Sequence, residues 1–305
     1  MNSHILGQTA ALATAFCWAI TCLSFEAAGK RVGSLQVNLL RLGFALPIFT
    51  AYLMVRQGQL FPRDADWHIW IWLSSSGIVG FFLGDLFLFQ AFVDVGARMA
   101  MLIYATVPPL TALMGWLILG EHLEPAQFAA MGITVAGIIL VTTGKPSAPP
   151  KSAAPSTPIH IHTVRGIWFA LLGALGQALG LVLSRFGAPD YDPFAATQIR
   201  ALAGFLSFLL FFLCTGRIRR ALASFRDLPA CRHILRGAFF GPFLGVSLGL
   251  LAAQKTSTAI ASTIMATVPI LLIPIAIIGF RQTVTMRETA GALLAVGGVA
   301  LLFLG

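Results

Sequence analysis

At 305 residues the chain is 57% apolar and only 10% charged, with a mean hydropathy of +0.86, whereas ordinary soluble domains carry about 25% charged residues. That composition excludes a water-soluble globule and points to an integral membrane protein. The formal charge of +9 and isoelectric point near 10.1 do not indicate nucleic acid, because the basic residues lie between apolar runs and form no aromatic-interleaved patch.

Stretches apolar and long enough to cross about 30 Å of hydrocarbon fall at 6–28, 35–55, 68–93, 97–119, 124–143, 165–187, 194–215, 234–254, 258–280 and 286–304. The expected fold is an all-α membrane protein of ten transmembrane helices. The N-terminus, Met1 to Gly7, lacks the basic region and small-residue cleavage site of a signal peptide, so the first helix is expected to be retained. Residues 144–164 are rich in Pro, Ser and Ala and read as a flexible linker between two five-helix halves, 1–143 and 165–305. His160 and His162 sit in this linker without a third ligand and read as solvated, so no metal site is expected. Cys17, Cys22, Cys214 and Cys231 form no CxxC pair and read as free packing thiols.

The halves repeat each other. Ala105-Thr106-Val107-Pro108 returns as Ala266-Thr267-Val268-Pro269, and the same offset carries Gly80 and Gly84 onto Gly241 and Gly245. A slightly smaller offset carries Trp18 onto Gln177 and Arg41 onto Arg200. An odd number of helices per half makes the second copy enter the membrane from the opposite side, an inverted repeat. The glycines form a GxxxG step in each copy and are expected to pack helix on helix. Pro108 and Pro269 interrupt apolar runs and are expected to be structural kinks. Such a kink either bends a packed helix or opens a cavity between the repeats.

Leaving out Arg41 and Arg200, fourteen Lys and Arg residues fall on one side and four, Arg56, Arg63, Arg185 and Lys255, on the other. The positive-inside rule then places the linker and the Arg217 to Arg236 loop in the cytoplasm and both termini outside. In that loop Ile218, Leu222, Phe225 and Leu228 recur at helical spacing among arginines, as in a short helix lying on an anionic leaflet.

Ionisable groups in hydrocarbon need a partner, a wet cavity or a function. Arg41 and Arg200 lie about two turns inside the second and seventh helices at matching positions. Asp85 lies in the third helix, and its counterpart is Val246. Two readings of Asp85 stand open: a group whose proton competes with a substrate or cation, and a fixed ion pair with Arg41. The arginines either anchor a substrate carboxylate or phosphate or pair within the protein. Trp18, Gln90, Tyr104 and Gln177 complete the substrate-binding or coupling candidates. Asn38, Gln198 and Gln254 are further polar residues in the spans. Glu121 and Glu124 read as helix caps. Nothing at catalytic spacing supports an enzyme.

The ordered set of Trp18, Arg41, Pro108, Gly120-Glu121 and a Gly-rich fifth helix (Gly132, Gly137), with Arg200 and Pro269 in the second copy, resembles the EamA family of the drug/metabolite transporter superfamily. In the second copy Arg281-Gln282 replaces the Gly-Glu, and Asp85 is not part of the family pattern. Relatives usually keep both termini in the cytoplasm, opposite to the loop charges here. The resemblance implies a helical bundle with a central cavity of alternating access, carrying small metabolites. The expected function is thus a secondary-active, proton-coupled exporter of amino acids or related compounds. It would be multi-pass in the cell inner (plasma) membrane, monomeric or homodimeric, with no cofactor and the proton gradient as energy source. Its partners would be a small-molecule substrate and the lipid bilayer, not nucleic acid. The alternative is a non-transporting membrane sensor or scaffold on a transporter fold.

Overall fold

The structure is a computed structural model that describes residues 3–95, 100, 103–142, 163–268, 270–271 and 286–304. Pro269, His160, His162 and nearly all of the expected linker lie outside the described residues. Every regular element among the described residues is helical.

In the first half, α1 (Ser3–Val32) and α2 (Ser34–Gln57) are separated by Gly33 alone, whose φ of 91° turns the chain in one residue. Then α3 (Trp67–Gly77) and α4 (Asp85–Val95) form one span joined by a π-helical segment, Ile78–Gly84. Next come α5 (Val107–Met114), with a π-helical tail Gly115–Leu119, and α6 (Pro125–Thr142). The second half repeats the plan. It runs α7 (Thr163–Gly187), α8 (Pro193–Cys214), a short α9 (Ile218–Ala223), and α10 (Leu228–Ala238) joined through a π-helical segment Phe239–Val246 to α11 (Ser247–Lys255), followed by α12 (Thr258–Met265) and α13 (Met286–Leu304).

Six helices are long and apolar enough to cross a membrane, and Val107–Leu119, Pro125–Val141 and Thr289–Phe303 are shorter apolar helices. Each matches a predicted span. The remaining one, expected at 258–280, is described only to residue 271. The described residues therefore support six long spans with three shorter ones, a smaller count than the predicted ten.

The halves pack reciprocally. The first helix of each half, α1 or α7, lies along the broken third span of the other, α10–α11 or α3–α4. Across the middle, α2 meets α8, α5 meets α12, and α6 meets α13. Lipid tails are as apolar as leucine, so close backbone approach rather than hydrophobic burial holds these contacts. The glycines supply it. A Cβ on Gly176 would fall 2.7 Å from Gly84 Cα, and one on Gly180 2.9 Å from Gly80 Cα. In the other copy a Cβ on Gly241 would meet Thr21 Cγ2 at 2.8 Å, and one on Gly245 would meet Trp18 Cδ1 at 2.7 Å. Gly80, Gly84, Gly241 and Gly245 thus lie at close approaches to the first helix of the opposite half.

The π-helical segments occupy matching positions beside these crossings. Inside a bilayer the backbone groups they leave unpaired need other partners. The first helix of the opposite half provides them: Gln177 Nε2 donates to Gly80 O at 3.2 Å, and Thr14 Oγ1 to Gly245 O at 3.1 Å.

Outside the spans, α9 turns Leu222 outward, and Phe225 and Leu228 beyond it are exposed as well, while Ala221 is buried. Asp227 anchors this loop. It accepts Arg31 Nε at 2.9 and 3.0 Å and caps α10 through Ala230 N at 2.9 Å.

Two outcomes follow from the packing. Gly176→Val should lower stability by about 1–3 kcal/mol, whereas Gly132→Ala, inside α6 with open space at its Cβ, should keep or raise it, by up to about 1 kcal/mol; thermal melts of the two proteins in detergent make the comparison. The Arg31 hydrogen bond, with the Ala230 amide, holds the Asp227 carboxyl below its ordinary value of 3.8. Its contribution is therefore complete above that value and fades as pH falls through the depressed one. The protection factors of the amides at the start of α10, taken against the intrinsic rate at each pH, should fall in acid for the native protein, and should already be low and change little with pH in Asp227→Asn.

Candidate functional site

At both copies of the Ala-Thr dipeptide that precedes Val-Pro the helix gives way to a turn. In the first, Ala105 and Thr106 form a turn and α5 restarts at Val107, with Pro108 in its first turn, where the missing N–H costs no helical bond. In the second, Ala266 and Thr267 form the matching turn after α12. Pro108 is thus a helix starter after a break, not a kink within a continuous helix.

A cavity of about 60 Å³ lies between these two breaks, lined by Tyr104 and Val107 from one and by Ser262, Met265 and Ala266 from the other. Trp18, Phe81, Gln177, Leu181, Arg200, Val246 and Gly249 complete its wall. Both halves contribute. At roughly 10–15 Å³ per water, the space holds about four to six waters.

The charged groups gather on the side of Phe81. Asp85, 6% exposed, begins α4 directly after the π-helical segment. Its Oδ2 accepts from Arg41 Nη2, and its Oδ1 accepts from Gln177 Nε2 at 2.9 Å. Both oxygens are engaged. The Arg41 guanidinium also lies 5.7 Å from the Phe25 ring centre and 6.0 Å from that of Phe81.

Arg200 approaches the same ring, at 5.1 Å from its centre, and is 5% exposed. Its backbone is pinned by α3, since a Cβ on Gly77 would fall 2.2 Å from Arg200 O. Gly80 leaves room for its guanidinium, 3.7 Å from where a Cβ would stand. Arg200 forms no ion pair among the described residues, and its Nε is buried without a partner.

Of the sequence-derived candidates, Trp18, Tyr104, Gln177 and Arg200 line the cavity, and Arg41 and Asp85 sit behind Gln177 and Phe81 as a pair. Gln90 does not join them. It lies past the π-helical segment and donates to Asp94 Oδ1 at 3.0 Å, beside the Asp94–Arg165 ion pair, whose bonds measure 2.7 Å. That pair spans 71 residues, and no sequence spacing announces it. Gln254 binds Ala188 O and Tyr191 O, and Gln198 binds Thr50 Oγ1 and Leu60 O, so both tie loops and helices together. Asn38 is fully buried, its amide unpartnered among the described residues.

Glu121 caps a helix, though not the one it precedes. Gly120, at φ 65°, turns the chain so that the Glu121 carboxylate reaches α12 of the other half, accepting Thr258 N at 3.0 Å and Thr258 Oγ1 at 2.8 Å. The α6 start is held instead by Gln127, whose side chain accepts the Glu124 N–H at 3.1 Å.

Two sequence-related halves, packed reciprocally around a partly polar cavity within apolar helices, define a multi-pass membrane transporter. The EamA-like transporter family model matches residues 5–143 and 164–304, one copy per half. The chain belongs to that family, within the drug/metabolite transporter superfamily. An uncharacterized transporter of Archaeoglobus fulgidus is 22% identical over 295 residues, covering 96% of each chain. A protein of known crystal structure superposes with a TM-score of 0.72 at 19% identity, over 99% of this chain and 96% of its own, a likeness of fold.

The Glu121 contact sets a measurable expectation. Glu121→Ala should destabilise the protein by about 1–2 kcal/mol, the size of a lost helix cap, and Thr258→Val, which keeps the backbone N–H, should lose less. Thermal unfolding in detergent ranks the two.

Proposed function

We propose that the protein is a secondary-active carrier that exports amino acids or related small metabolites against inward proton flow, by alternating access. The observation that carries this reading is the cavity walled by both broken spans, Ala105-Thr106 in one half and Ala266-Thr267 in the other. Broken helices at the interface of two repeats are where carriers of this kind hold their cargo. The full count in this reading is ten spans, five per half, and the odd number inverts the second half in the inner membrane, where the protein works as a monomer or homodimer.

The cavity as it stands holds a few waters, so a metabolite enters only when the halves rock apart about the glycine crossings. Reciprocal packing makes the two opening motions equivalent in kind, one toward each face. Asp85 is the coupling group. Opening parts it from Arg41 or Gln177, the freed carboxylate takes a proton from the face it meets, and re-forming the pair expels it. A permanently closed pair would serve a scaffold instead.

Reconstituted in liposomes, the protein should move labelled amino acids in response to an imposed pH gradient. Asp85→Asn should abolish that response while leaving counterflow exchange intact. Full gradient-driven transport by Asp85→Asn would remove the coupling role, and absence of any exchange by the unaltered protein, across a broad metabolite panel, would favour the sensor or scaffold.

A further inference from the structure

The duplication places two arginines at equivalent positions and equips only one of them. Arg41 has Asp85 as its carboxylate, oriented by Gln177. At the same positions in the other copy, Arg200 has Val246 in place of the carboxylate and Trp18 in place of the glutamine, and all three line the cavity. Two guanidinium groups thus lie within about 6 Å of the Phe81 ring centre, and the carboxylate beside them, Asp85, is bound to Arg41. The surplus is one positive charge.

Asp85 cannot serve both arginines as it stands, because each of its oxygens already accepts a bond. The other carboxylates with recorded partners are committed elsewhere. Glu26 binds Lys30, Asp64 binds Tyr191, Asp94 binds Arg165, Glu121 binds Thr258 and Asp227 binds Arg31, while Asp66 and Asp192 cap helices. None of the residues lining the cavity is acidic. An uncompensated charge buried among apolar helices is expensive, and Arg200 lines the cavity between the halves.

We propose that Arg200 is the anion subsite of the carrier and that its missing carboxylate is supplied by the substrate, a small monocarboxylate or zwitterion. Its carboxylate pairs with the guanidinium, and its apolar body lies against Trp18, Val246 and Met265. A planar fork of donors matches a carboxylate, and a single surplus charge matches a monoanion. This assignment rests on the carrier reading for its physiological meaning, but binding can be measured without transport.

The test uses purified full-length protein in detergent at neutral pH and follows the unfolding midpoint with four probes: L-leucine, L-leucinamide, 4-methylpentanoate and 4-methylpentanamide. A ligand that prefers the folded state raises the midpoint with concentration. Both carboxylates should raise it, and both amides should not. Val246→Asp, which installs the missing partner, should fold with a midpoint no lower than the parent and weaken carboxylate binding at least ten-fold. Arg200→Gln should lose binding to the same degree, and Arg200→Lys should lose less. Equal binding of acids and amides, no binding of either acid, or unaltered binding by Val246→Asp would overturn the assignment. Stronger binding of inorganic phosphate than of both acids would overturn it as well. Selective acid binding without liposome flux would sink the carrier reading while leaving the subsite intact. Flux with unchanged affinity in Val246→Asp and Arg200→Gln would do the reverse.

Discussion

The arrangement depends on a charge imbalance held among apolar helices: two guanidinium groups near the ring of Phe81 and one carboxylate, bound to the first of them. Isolated ions are not tolerated at such depth, so each must be paired, hydrated or stacked. Arg41 and Asp85 meet the requirement as a pair, steadied by Gln177. Arg200 meets it only by stacking on Phe81 and by facing the cavity. The cavity lies beside that arginine, which forms no ion pair among the described residues.

The backbone obeys the same constraint. Among the described residues, three π-helical segments and two turns between helices leave peptide groups outside the regular pattern, and these irregularities occur where another helix or the cavity is at hand. Gln177 answers Gly80, and Thr14 answers Gly245. Ser76, one residue before the glycine that presses on Arg200, binds Gly180 O at 2.6 Å and Ser184 at 2.7 Å. Polar side chains in this bundle therefore close the backbone accounts at the crossings before they do anything else. Gln177 does both, since one amide nitrogen touches the π-helical segment, the carboxylate of the ion pair and, through its place in the wall, the cavity.

Much of this was legible in the sequence because duplication makes a chain its own comparison. The offset that aligned the Thr-Val-Pro motifs also aligned the glycines and exposed Val246 as the odd partner of Asp85. Arg41 and Arg200 stood out because apolar surroundings make any charge conspicuous. The helix breaks were only half visible: proline marks an irregularity, but whether the chain bends, or stops and restarts, depends on the turn at Ala105-Thr106. Long-range polar contacts were not visible. Gln90 and Gln177 look alike in sequence, both glutamines in apolar spans, yet one serves the Asp94–Arg165 pair and the other faces the cavity. The distinction arises from which helix of the opposite half passes nearby.

The two copies are alike in packing and unlike in chemistry, and the differences fall on one functional axis. Glu121 of the first half holds the N-terminus of α12, and α12 runs from that contact to the break at Ala266-Thr267 beside the cavity. The matching Gly-Glu is absent from the second half, where Arg281-Gln282 stands. In sequence, then, the carboxylate that makes this contact belongs to one half alone. The same holds at the centre, where one arginine is neutralised from within and its counterpart is not. Symmetric packing is thus combined with unmatched residues, Asp85, Gln177 and Glu121 in particular, so that the two crossings are alike in backbone and unlike in charge.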